Sequence, residues 1–180
     1  MSMMIPLARH LRRFRRRDEG TATIEFAILF PAFVMILLSS VEQGMITMQH
    51  SMLERGLDVA VRNVRLGTGD APQHDEIKAQ ICEYAGVLKN CDTTLRLEMV
   101  QVDLRNQVAF DRSADCVDTS EAVQPVRNFV NGRENDLMLL RACVKIDPIF
   151  PTTGLGKQLA KDGAGQVALV AMSAFVQEPE

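Results

Sequence analysis

Residues 22–41 read ATIEFAILFPAFVMILLSSV, a run of 20 residues with one formal charge, Glu25. A helix needs about 20 predominantly apolar residues to cross the hydrocarbon core of a bilayer. The run therefore reads as a transmembrane helix, and it divides the chain of 180 residues into an anchor and a longer C-terminal part. A carboxylate inside such a segment is costly and is a functional hypothesis by default. Pro31 also lies inside it. It has no N–H for the carbonyl of Ala27, which predicts either a kink over 27–31 or packing against another helix.

Charge gives the orientation. Residues 1–20 hold six arginines against Asp18 and Glu19, a net of +4. The other 160 residues carry 14 basic and 21 acidic groups, a net of −7. Basic residues before an apolar run keep the N-terminus in the cytoplasm and send the C-terminal part across the membrane. A basic head on an acidic body does not suit a nucleic-acid binder, whose positive charge belongs on the folded domain. A secretory signal peptide is the competing reading. Its apolar core spans about 7–15 residues before a small-residue cleavage site. This run is longer, contains Pro31, and offers only Ser39-Ser40-Val41 as such a site.

The helical pattern continues beyond the run. Ile46, Leu53 and Ala60 are spaced by seven, as are His50, Leu57 and Val64, giving one apolar stripe on a helix that reaches about residue 66. Gly67 and Gly69 read as its C-terminal stop. Arg62 and Arg65 suit the negative end of the helix dipole. One half is apolar all round and the other half amphipathic. The second half needs a partner surface, which the C-terminal part of the chain would supply; a coiled coil fits less well with His50 in the stripe.

The stretch 70–75 reads as a linker. The segment 75–90 reads as a short amphipathic helix burying Ile77, Ile81, Tyr84, Ala85 and Leu88. Three segments read as strands: 94–102, 137–146 and 166–176. The last is apolar on both faces, which predicts a central strand or one covered by helix. Residues 107–110 suggest a further short strand, and 111–136 and 147–165 read as long loops. The expected class is α+β: one long N-terminal helix, membrane half plus amphipathic half, packed on a small antiparallel sheet.

Cys82, Cys91, Cys116 and Cys143 all lie beyond the apolar run, so the orientation places them in an oxidising compartment. Four cysteines allow three pairings. We favour Cys82–Cys91, tying the short helix to the first strand, with Cys116–Cys143 tying the long loop to the sheet. No pair has CxxC spacing and only His74 is near, so a zinc site is disfavoured, and no metal or cofactor is expected. Catalytic motifs are also missing. His10, His50 and His74 are scattered, no nucleophile elbow occurs, and GLGKQ lacks the spacing and hydroxyl of a phosphate-binding loop, its glycines reading as turn residues. The ten methionines read as membrane and core filler. The chain is not expected to be an enzyme.

The basic leader, Gly20 and the adjoining TATIEFAILFP resemble the processing region of type IV prepilins. More narrowly, G-x-A-x-I-E-F-A-x-x-x-P, carried by Gly20, Ala22, Ile24, Glu25, Phe26, Ala27 and Pro31, resembles the TadE-like pseudopilins of tight-adherence (Flp) pilus systems. VRNVRLGTG, ICEYAGVLKNC and DPIFPTTGLG are similar to that family too, so the resemblance runs from Arg9 over most of the chain.

The resemblance implies a pilin-like architecture and a prepilin peptidase that cuts after Gly20. Residues 1–20 would then be a removed leader, 21–42 the transmembrane helix, 43–69 its amphipathic extension and 70–180 a periplasmic α+β domain. The mature chain would begin at Thr21, with Glu25 fifth and Phe26 sixth. Glu25 could then pair with the α-amino group of a neighbour's Thr21, which lowers the cost of both charges in lipid and fixes helix register. Thr21 departs from the bulky apolar first residue of common type IV pilins. The mature length exceeds that of a major Flp pilin, which favours a minor pseudopilin. The implied partners are the peptidase, the major Flp pilin, other minor pilins, inner-membrane platform proteins and the lipid bilayer, with no nucleic acid. TadE-like and TadF-like proteins share the leader pattern. The alternative is an unprocessed single-pass anchor carrying a periplasmic binding or scaffold domain.

Overall fold

The computed structural model describes residues 21–66, 72–103, 114, 116–117 and 129–179. The basic head through Gly20, the stop glycines Gly67 and Gly69, and the short strand expected at 107–110 lie outside the described residues. Helix α1 spans Thr21–Arg65, 45 residues, or about 68 Å at 1.5 Å per residue. It continues through Pro31. Among the described residues no other element packs there: residues 22–33 are all exposed.

The amphipathic half of α1 is the spine of the fold. Leu53, Leu57, Ala60 and Val64 form a buried stripe spaced by four, three and four residues, the period of one helix face. Helix α2, His74–Tyr84, packs on that stripe through Ile77 and Ile81. Its start is fixed by Glu76, whose carboxylate accepts the backbone N–H of Gln73 at 2.9 Å. The approach of the two helices is close at Gly56. A Cβ there would stand 2.7 Å from the carbonyl oxygen of Ile81, so only glycine fits without a shift.

α2 is shorter than its sequence pattern. The helix ends at Tyr84, and the N–H of Ala85 closes on the carbonyl of Ile81 at 2.8 Å. The turn after it carries Ala85 and Leu88 inward and leaves Tyr84 43% exposed, which corrects its expected place in the core. One helical turn, α3 (Cys91–Thr94), comes after Asn90 in the left-handed region at φ 54°. This turn takes up Thr94, so the first strand begins at Arg96 and not at residue 94.

The sheet contains β1 (Arg96–Gln101), β2 (Leu137–Ile146) and β3 (Val167–Val176). The order is β1-β2-β3 and both pairings are antiparallel. Met99 stands opposite Leu140, and Leu140 opposite Ser173. This register puts Leu97, Met99, Met138, Leu140, Ala142, Val144, Leu169, Ala171 and Phe175 on one face, in the same core as α1 and α2. β2 is the central strand and β3 an edge strand. The apolar pattern of β3 instead reflects α1 covering its core face, while Met172 and Val176 on the other face are 60% and 48% exposed.

The second face of the sheet is polar at its centre. Glu98 stands opposite Arg141 and accepts its Nε–H at 2.9 Å. Lys145 pairs with Asp162 at 2.8 Å. Disulfides join Cys82 to Cys91 and Cys116 to Cys143, with Cα separations of 5.6 and 5.4 Å. After β2 the chain folds back to α1 through α4 (Gly154–Gln158), a single helical turn. GLGKQ is therefore helical, which corrects its reading as a turn. Gly154 supplies a positive φ of 53°, and at Gly156 a Cβ would fall 2.3 Å from the Phe150 carbonyl oxygen. The glycines let the chain enter that helical turn and pack it closely.

Candidate assembly site on the long helix

The exposed half of α1 gathers the residues singled out in the sequence. Thr21 opens the helix. Glu25 lies one turn on and is exposed, with no side-chain partner among the described residues. Phe26, Phe30 and Phe33 come next at spacings of four and three and are 63%, 48% and 56% exposed. The rings of Phe26 and Phe30 stack at 4.9 Å. Positions four and three apart share a helix face, so the aromatics form one stripe beside which Pro31 lies. Ile24, Ile28, Leu29, Ile36 and Leu37 are also exposed. A surface this apolar marks a contact with lipid or with other helices. Gly20 is outside the described residues, and the four cysteines staple the folded part, away from this surface.

The other end of the run carries a feature that sequence reasoning missed. Glu42 is 1% exposed. Its carboxylate accepts the backbone N–H of Ile149 at 3.1 Å and of Phe150 at 2.8 Å. One turn earlier, the Ser39 hydroxyl accepts the N–H of Leu155 at 3.2 Å and donates to the Met35 carbonyl at 2.8 Å. A buried carboxylate needs such donors, and bonds from N–H groups to an ionised acceptor are among the stronger hydrogen bonds. The segment DPIFPTTGLG is thus clamped to the end of the apolar run. A signal was present: Glu42 lies four residues before Ile46, on the stripe that leads to Leu53. A charge on the apolar face asks for partners.

Glu25, inside the start of the apolar run, and Glu42, just past its end, stand 17 residues apart, about 25 Å along the helix. One is exposed and unpartnered within the described chain; the other is buried and doubly hydrogen-bonded. The geometry separates an outward face for other molecules from an inward clamp.

The histidines have structural surroundings. His50 is half-buried, and its Nε2 lies 3.0 Å from the Val170 carbonyl oxygen. A carbonyl can only accept, so Nε2 carries the proton. The bond fastens α1 to β3. His74 stacks edge-on against Phe129 at 5.3 Å; His10 is outside the described residues. Among the described residues no group of three or more histidines, cysteines or carboxylates is placed to hold a metal ion.

No curated protein and no solved structure matches this chain. The match to a family covers the helix alone and stops before α2, the sheet and both disulfides. Residues 20–62, the helix that carries Glu25 and Glu42, match the family model described as TadE-like protein.

Proposed function

We propose that this chain is a minor pseudopilin that takes part in assembling a Flp/Tad-type pilus. The similarity of residues 20–62 to TadE-like proteins supports a pilus-associated protein of a structural rather than enzymatic kind. The carrying observation is the coincidence of that match with an N-terminal helix half that no other described part of the chain covers. That helix is long and apolar enough to serve as a single-pass anchor.

In this reading a prepilin peptidase removes residues 1–20 and leaves Thr21 as the first residue. The helix then holds the protein in the inner membrane, with its N-terminus cytoplasmic and the sheet and disulfides in the periplasm. The outward stripe of Phe26, Phe30 and Phe33 packs against the major Flp pilin, other minor pilins or platform proteins. Glu25 pairs with the α-amino group of a neighbouring Thr21 and sets the axial register. The size of the α+β part favours an accessory role over that of the main filament subunit.

The test is the intact mass and N-terminal sequence of membrane-extracted protein from cells with and without the cognate peptidase. The expected product begins at Thr21 only when the peptidase is present. An uncut chain in both would favour an unprocessed anchor carrying a binding or scaffold domain.

A further inference from the structure

The clamp at Glu42 places a loop where a soluble loop would not be expected. The Cβ position of Gly154 is 3.7 Å from the Met35 carbonyl oxygen and 2.6 Å from the Ser39 hydroxyl. Met35 and Ser39 belong to the apolar run. Along the helix they lie about 10 and 5 Å on the membrane side of Glu42. If the run spans the bilayer with Glu42 near its outer limit, α4 reaches back beside the last turns of the span.

Much of the loop's backbone meets the demand of that depth. A backbone in a weakly hydrated layer must have its N–H groups satisfied within the protein. Pro148 and Pro151 have none. Those of Ile149 and Phe150 go to Glu42, that of Thr153 to the Phe150 carbonyl, and that of Leu155 to Ser39. Outward it shows Ile149, which is 46% exposed. Between α4 and α1 runs an open, mostly apolar groove lined by Met35, Ile36, Gly44 and Leu155, with Ser40 and Gln43 beside them. The groove is continuous with the exposed apolar surface of Ile36, Leu37 and Val41. At the end of α4 the exposed Lys157 has the position and stem length to keep its ammonium among headgroup phosphates.

The geometry points to residues 148–158 as a second membrane contact, seated in the headgroup and upper acyl layer of the leaflet facing the periplasm, with lipid filling the groove beside Ile36 and Leu155. It rests on the reading of α1 as a transmembrane anchor. Interfacial segments bury their apolar side about 5–10 Å into that layer, the depth at which α4 lies relative to Glu42. Two contacts on one rigid unit restrict the tilt of the folded part relative to the bilayer, which a single helix does not.

The full chain, with its disulfides intact, is reconstituted in phosphatidylethanolamine–phosphatidylglycerol vesicles. Nitroxide labels are placed by F30C, I149C, Q158C and E178C, one at a time. Collision with oxygen and with a water-soluble nickel chelate is compared at each site. The expected oxygen-to-nickel ratio at 149 is severalfold above that at 178 and approaches that at 30, with 158 between. A lipid-type ratio at 30 with an aqueous ratio at 149 and 158 overturns the proposal and leaves the anchor standing. An aqueous ratio at 30 overturns the anchor and the proposal with it. Exclusion of both reagents from 149 assigns the surface to a second protein chain and also overturns the proposal.

Discussion

Glu42 and Phe150 stand 108 positions apart in the chain and meet at 2.8 Å, carboxylate oxygen to backbone N–H. Ile149 makes the second bond to the same carboxylate at 3.1 Å. This pairing decides how the chain behaves after β2. Without it, two prolines and two glycines would leave 148–158 little reason to lie against α1. With it, the end of the apolar run and the return loop become one unit.

Glu42→Ala removes both acceptors and leaves two N–H groups in a site that is 1% exposed. Hydrogen bonds to a charged group contribute about 1.5–3 kcal/mol each, and part of the loss is recovered if water enters. The expected local destabilisation is about 3 kcal/mol. Amide hydrogen exchange at 149, 150 and 155 should rise by about two orders of magnitude while exchange in β2 holds. Glu42→Gln retains one acceptor oxygen and should show a smaller rise. Unchanged exchange at 149 and 150 in the alanine variant would mean that the clamp does not hold the loop.

Two glycines on α1 should respond to alanine with opposite signs. Alanine is favoured over glycine in a helix by about 1 kcal/mol. At Gly44 an added Cβ meets nothing within 4 Å, so Gly44→Ala should stabilise by up to about that amount. At Gly56 the Cβ meets the Ile81 carbonyl at 2.7 Å and its Cγ2 at 3.3 Å. Overpacking costs about 1–3 kcal/mol, so Gly56→Ala should destabilise and separate α1 from α2. Denaturation midpoints of the two variants against the parent decide it; a gain at both positions would contradict the close approach.

Most of the architecture was legible because it depends on period. The seven-residue spacing through Ile46, Leu53 and Ala60 located the buried face of α1, and alternation through Met138, Leu140, Ala142 and Val144 located the core face of β2. The expectation for β3 left two alternatives open, a central strand or one covered by helix, because an apolar pattern on both faces does not separate them; the structure shows the second. The errors arose where tertiary partners override local pattern. Tyr84 kept the helical period, but the helix ended there. Glu42 was the largest omission, because its meaning depends on two N–H groups contributed by residues 149 and 150. In the candidate site, the exposure of Glu25, Phe26 and Pro31 follows from their place in an apolar run that no described part of the chain covers. The aromatic stripe through Phe33 needed only the helix spacing to be noticed.

The disulfides should differ in their contribution to stability. Cys82–Cys91 spans 9 positions and Cys116–Cys143 spans 27. Loss of a native disulfide costs about 2–5 kcal/mol in a small domain, and in the chain-entropy account the cost grows with the logarithm of loop length. A threefold difference in span corresponds to about 1 kcal/mol. Replacing Cys116 and Cys143 by alanine should therefore lower stability by about 1 kcal/mol more than replacing Cys82 and Cys91. Urea titrations of the two double variants test the order. Equal or reversed losses would show that local packing around Cys143, which is 2% exposed, outweighs loop entropy.

Glu25 should separate assembly from folding. Its carboxylate is exposed and contacts none of the described side chains, so Glu25→Ala removes nothing that holds the folded part together. Surface changes of this kind alter stability by about 0.5 kcal/mol or less, and removing a charge from the apolar run favours insertion. On the proposed reading, the variant should be produced, inserted, and cut before Thr21 to the same extent as the parent. What should fail is incorporation with the other pilins, because the α-amino group of a neighbour loses its partner and the helices lose their axial register. Glu25→Asp keeps the charge on a shorter stem and should recover part of the activity; Glu25→Gln should not. Piliation and co-purification of pilus components are scored beside the N-terminal sequence of each variant. Normal assembly of the alanine variant would exclude the ionic register and reassign Glu25 to an interfacial position at the cytoplasmic end of the span. Loss of processing together with assembly would place its role at the peptidase instead.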